Sequence, residues 1–224
     1  LYYADRVYQL PLALIGIAIG IVMLPSISRK IKTDSSEKIS KSIEQTLIYA
    51  LLLAVPSSAG IFALSEIIIT VLFERGEFNE KSSFFTSEAL KFYSLGLIAF
   101  IIIKIYTPIF FAYENAKPTL LITAVNLIMN TILSIVLFIF IGFIGIPIAT
   151  SISAWISVIL MSYYLDQNNY YKIRKKMFVP STIIVISSSI MYLYLSILKS
   201  YSAILLNFLY DNKIIFLLFS VLSS

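Results

Sequence analysis

Between Pro118 and Leu165 no residue carries a charge, and most are apolar. About 20 residues of helix suffice to cross a bilayer core of about 30 Å. The run is therefore too long for one crossing and too apolar for water. Backbone polar groups in lipid have to be satisfied within the segment, which selects helices. Gly142-Phe143-Ile144-Gly145 is the natural break, a hairpin turn between two spans. Similar charge-free stretches recur throughout, and together they predict an all-α polytopic membrane protein of about seven transmembrane helices. The spans fall near residues 1–28, 46–64, 87–113, 118–141, 146–165, 177–198 and 214–224, the last truncated. Only 13% of residues are charged, against about a quarter in soluble domains.

The connections carry the remaining information. Arg29-Lys30-Ile31-Lys32 stops the first span, and the charged, serine-rich stretch up to Glu44 predicts a short amphipathic surface helix. Pro56 is expected to kink the second span. Glu66 to Lys91 reads as an acidic external segment containing the turn FERGEF, with Ile67 to Phe73 at the interface. Loops after spans one, three and five hold ten Lys and Arg, and those after spans two, four and six hold five. The richer set belongs in the cytoplasm, which puts the Leu1 end near the outer face. The net charge of +5 is explained by the same bias, with no need for nucleic acid. A first residue that is Leu, without a signal-peptide pattern, predicts an internal segment of a longer protein.

No cysteine and no histidine is present, so disulfides, thiol chemistry and histidine-based metal sites or catalysis drop out. There is no phosphate-binding glycine loop and no metal-ligand spacing, so neither a cofactor nor a metal is expected. No paired catalytic groups lie in the spans, which argues against an enzyme.

What remains is polarity inside apolar helices. In the first span Tyr2, Arg6, Gln9, Ala13, Gly16 and Gly20 share one face at helical spacing, and Val7, Leu10, Leu14, Ile17, Ile21 and Leu24 share the other. An Arg at mid-bilayer costs about 2.5–3.5 kcal/mol on insertion scales, so it usually faces protein or water. Arg6 either snorkels to headgroups with Asp5 as its local partner or serves as a cavity cation for an anionic group, which its forked donors suit. Lys104, alone among apolar residues of the third span, either faces a cavity or pairs with a buried acceptor. Gly16 and Gly20 permit close helix packing or sliding. Asn126 and Asn130, in a stripe with Thr119, Thr123 and Ser134, either bond between helices or line a cavity.

YYADRVYQLP, then GIAIGIVMLPSISR, LFERGEF and YSLGLIAFIIIKIYTPIFFA resemble, in order and spacing, the MurJ (MviN) lipid II flippases of the multidrug/oligosaccharidyl-lipid/polysaccharide exporter superfamily. The resemblance implies the C-terminal lobe of a fourteen-helix bundle in the bacterial cytoplasmic (inner) membrane, with an N-terminal lobe elsewhere. It implies that lipid II, an undecaprenyl-pyrophosphate-linked disaccharide pentapeptide, is flipped outward by alternating access. On it, Arg6 matches a cavity arginine that meets the pyrophosphate, Asp5 the acidic neighbour, and Lys104 a lysine of the tenth helix. Gln9 departs from relatives that carry Glu. Met177 to Leu198 and Ile214 to Ser224 match helices that form a groove for the lipid tail. Open alternatives are a flippase for another lipid-linked oligosaccharide, a drug antiporter, or a non-transporting scaffold of the cell-wall machinery. Asp5 is the one carboxylate within a span that an antiporter would use.

Overall fold

The computed structural model describes residues 1–209 and residue 221, all of it helices and short connections. The order is α1 (Tyr2–Pro11), a π-helical turn (Leu12–Ile17), α2 (Ala18–Thr33), α3 (Ser36–Phe73), α4 (Glu80–Ala112), α5 (Lys117–Ile141), a 3-10 turn (Gly142–Ile144), α6 (Gly145–Gln167), a second 3-10 turn (Lys175–Met177) and α7 (Phe178–Leu209). Among the described residues, five apolar stretches are long enough to cross a membrane; the longest, Lys117–Gln167, is α5 and α6 folded back on each other. The expected truncated span at 214–224 lies outside the described residues, residue 221 apart.

The fold is built around α4. Half of its apolar stretch lies inside the bundle, against less than a third for the others. It packs against α1 and α2 on one side, α3 on another and α6 on a third; α7 rests on α3, and α5 rests almost entirely on α6. Lipid tails are as apolar as leucine, so helices associate in a membrane through close packing and hydrogen bonds between them. α4 provides for both. Ser83, Ser87, Ala89, Ser94, Gly96 and Ala99 are buried and small. In one turn its backbone carbonyls take donors from both sides: Ser151 Oγ donates to Phe92 O at 2.6 Å, Trp155 Nε1 to Leu95 O at 3.1 Å and Ser58 Oγ to Ser94 O at 2.6 Å. A Cβ on Gly96 would sit 2.7 Å from that Ser151 Oγ, so glycine sets the α4–α6 distance.

Three sequence expectations change. The linker to Glu44 is not a separate surface helix; it is the first turns of the 38-residue α3. Its buried Ile39 and Ile43 continue at three- and four-residue spacing into Leu47, Ala50 and Ala54, so one stripe joins the linker to the apolar helix behind it. Likewise, Ile67 to Phe73 is not a separate segment but the end of the same helix, which runs on through Pro56. Finally, the two faces assigned to the first span do not persist. Pro11 cannot donate to Val7 O, and the π turn that follows inserts extra residues into the phase. Leu10, Leu14 and Ile21 remain outward, but Val7 is buried with Ala4, Tyr8, Ile15, Met23 and Ile27, and Gly16 turns inward while Arg6 and Ala13 stay exposed.

Turns close the ends. At one end α4 begins earlier than expected, at Glu80, where Asn79 accepts from Ser82 N at 3.0 Å as an N-cap. The FERGEF turn turns back at Gly76 (φ +57°), and Phe73 and Phe78 hold the ring of Tyr3 between centroids 4.7 and 5.3 Å away. At the other end Tyr113 and Tyr170 stack at 4.0 Å, and Arg174 reaches α3, 3.6 Å from both Glu37 and the nearly buried Glu44. Burial pushes the Tyr171 hydroxyl above its ordinary ionisation range, with smaller contributions from Tyr106 and Glu44, opposed by Arg174.

A cationic face on the first helix and α4

Arg6 is exposed, one turn into α1. Its guanidinium carbon lies 4.9 Å from the centre of the Tyr2 ring, and its Nη1 donates to Gln9 Oε1 at 3.4 Å. Gln9 in turn donates a short hydrogen bond from Nε2 to Asp5 Oδ2. The neutral amide therefore stands between the carboxylate and the guanidinium, and no Asp5–Arg6 ion pair forms among the described residues. Only Nη1 of Arg6 is engaged by a hydrogen bond among the described residues, which leaves most of the guanidinium donors uncommitted. Beneath it Tyr8 stacks on Tyr93 at 5.0 Å and on Phe100 at 5.8 Å, pinning α1 to α4.

Lys104 is exposed on α4, eight residues before its end, about 12 Å at helical rise. Among the described residues it has neither an ion pair nor a hydrogen bond. Its stem packs on the glycines: a Cβ on Gly16 would lie 3.3 Å from Lys104 Cγ, and one on Gly20 3.5 Å from Lys104 O. The structure thus joins Lys104 to Gly16 and Gly20, but it does not join Lys104 to Arg6. Ten residues of helix separate Arg6 from Gly16, about 15 Å. Elsewhere the outward surfaces of α5, α6 and α7 are apolar, with Leu120, Leu127, Ile139, Phe140, Ile159, Ile183 and Ile190 among those exposed. The two cations stand apart from these apolar surfaces, Arg6 on α1 and Lys104 beside Gly16 and Gly20.

Asn130 and Asn126 stand away from it. Asn130 Oδ1 accepts from Ser134 Oγ at 3.2 Å and from Thr150 Oγ1 of α6 at 3.4 Å, which ties α5 to α6. Asn126 Oδ1 is buried and has no hydrogen-bond partner among the described residues. No group of three or more acidic, His or Cys side chains is placed to hold a metal among the described residues. Sequence reasoning missed Thr107 and Pro108, which share the Lys104 surface; their signal was spacing, three and four residues on from Lys104. It also missed the Glu66–Lys199 pair, 2.6 Å across α3 and α7, which nothing in the local sequence announces.

The family model for "Lipid II flippase MurJ" matches residues 1–211. The chain belongs to the MurJ family. It is thus a multi-pass membrane protein of a transporter family, not of an enzyme family. The chain is 33% identical over 191 residues to a probable lipid II flippase MurJ of Rhizobium tropici, covering 85% of this chain and 36% of that protein. It is 33% identical over 215 residues to the one from Rickettsia prowazekii (strain Madrid E), covering 96% and 42%. Among solved structures, a lipid II flippase MurJ in an inward closed conformation superposes with a TM-score of 0.76 at 26% identity, covering 98% of this chain and 44% of that one. The chain thus spans about two-fifths of the length of these MurJ relatives.

Proposed function

We propose that this chain is the C-terminal lobe of a fourteen-helix flippase in the bacterial inner membrane, moving lipid II from the inner to the outer leaflet. Membership of the MurJ family supports the substrate, and the excess of Lys and Arg at the Thr33 end supports an outward Leu1 end. The observation that carries the mechanism is Arg6, exposed at the outer part of the first helix and insulated from Asp5 by Gln9. A guanidinium in that state binds a diphosphate through forked, charge-assisted hydrogen bonds. The N-terminal lobe closes over the same face, and rocking of the two lobes exposes it to each side in turn. The lipid tail stays in the membrane beside α7. Moving negative charge outward is favoured by about 2.3 kcal/mol per charge per 100 mV when the inside is negative.

The test is complementation. Arg6→Ala should fail to rescue a strain depleted of its own flippase while accumulating normally in the membrane, and should not flip lipid II in liposomes. Normal growth with that variant would refute the assignment.

A further inference from the structure

The surface beside Lys104 differs in chemistry from the one at Arg6. It is a groove of about 290 Å³ whose lining includes Gly16, Gly20, Ile21, Lys104, Thr107 and Pro108. The Lys104 ammonium supplies charge and donors. Around it are acceptors. Pro108 has no N–H, so the carbonyl of Lys104, four residues before it, lacks its helical donor, and this oxygen faces Gly20. Pro25 does the same to the carbonyl of Ile21. The Thr107 hydroxyl gives its proton to Ile103 O at 2.8 Å, leaving its oxygen to accept.

A phosphate offers acceptors alone, so it would satisfy the ammonium and be repelled by the freed carbonyls. A group that joins a carboxylate to N–H donors satisfies both. The two cations are also offset along the bundle. The first helix and α4 run parallel, since Tyr8 meets Tyr93 and Phe100 while Gly16 meets Lys104. The backbones that carry Arg6 and Lys104 are therefore about 15 Å apart along the helices, so a diphosphate seated on Arg6 leaves the Lys104 groove to another part of the ligand. We infer that the Lys104 groove is a headgroup subsite that takes a carboxylate-bearing peptide while Arg6 holds the diphosphate of the same ligand. This rests on the flippase reading.

The experiment uses the complete transporter purified in detergent and three probes: lipid II, the same lipid-linked disaccharide without its peptide, and undecaprenyl pyrophosphate. Lys104→Met should weaken lipid II by about tenfold, the value of one hydrogen-bonded charge, and leave the two peptide-free lipids unchanged. Gly20→Ala, whose methyl would rest at an ordinary 3.5 Å from Lys104 O and cover it, should also weaken lipid II alone, and decides the matter if Lys104→Met does not fold. Arg6→Ala should weaken all three. Equal loss of all three probes with Lys104→Met, or no loss of lipid II with either groove variant, overturns the peptide subsite while leaving the flippase reading intact. Failure of the unmodified transporter to bind any of the three overturns the flippase reading itself.

Discussion

Alanine at Gly96 tests whether the contact between α4 and α6 holds this lobe together. The new methyl carbon would lie 2.7 Å from Ser151 Oγ and 3.1 Å from both Ser151 Cα and Phe100 Cε2. Ser151 Oγ cannot simply rotate away, because it donates to Phe92 O at 2.6 Å. Relief requires breaking that bond and moving α6 outward by a few tenths of an ångström. Hydrogen bonds between membrane helices contribute about 0.6 kcal/mol on average and up to about 1.7, and overpacking costs about 1–3 kcal/mol. Gly96→Ala should therefore destabilise by about 2–3 kcal/mol. Ser151→Ala alone should cost about 1 kcal/mol, and the double variant should cost less than the sum by about 1 kcal/mol, because one obstacle is already gone. Reversible unfolding of the purified transporter, measured by tryptophan fluorescence for the four proteins, gives the cycle. Trp155 reports directly, since its indole donates to Leu95 O beside the same contact. A neutral Gly96→Ala, or strict additivity in the double variant, would refute the close-approach argument.

Other consequences follow from the ends and the cationic face. Gln9→Glu should place a carboxylate beside Arg6 and weaken binding of undecaprenyl pyrophosphate by about twofold, the strength of an i,i+3 ion pair on a helix; an unchanged titration would show that Gln9 does not set the Arg6 charge. Arg174→Met should leave the nearly buried Glu44 without its ion pair and cost about 1–3 kcal/mol, recovered in large part by adding Glu44→Gln, as read from chemical denaturation of the two variants. Tyr171 is protonated more firmly when folded, so its contribution is whole below pH 10.0, the ordinary value, and is lost as pH rises above it through the folded value. Tyr171→Phe should flatten the alkaline limb of a melting-temperature profile, and an unaltered limb would assign it to other groups.

The chain announces its long apolar helices through charge-free runs, and the turn between α5 and α6 through Gly142, whose φ of +70° suits glycine. It hides the length of α3, because the eye stops at Lys38, Lys41 and Glu44 although Ile39, Ile43 and Leu47 carry a helical stripe beneath them. Side chains two faces apart on one helix do not compete, and charge on the outer face says nothing of the inner one. At the site, helical spacing puts Arg6 and Gln9 on one face but not the order of bonds that makes Gln9 a spacer between two charges. It also places Gly16 and Gly20 with Arg6, a grouping the π turn undoes. The distance from Arg6 to Lys104 depends on which residues of two separate helices meet, and local sequence holds no record of that.

The short turn between α5 and α6 bears on how the protein enters the membrane. Gly142–Ile144 contains neither a charge nor a polar side chain, and both helices it joins are apolar along the run from Pro118 to Leu165. Nothing hydrophilic has to be carried across when this pair is inserted. On the proposed topology, Lys117 at one end and Lys172, Arg174 and Lys176 at the other stay on the side of synthesis and set the pair's orientation. Since α5 finds its contacts almost wholly on α6, the two helices should insert as one unit, the rest of the bundle adding little to hold α5.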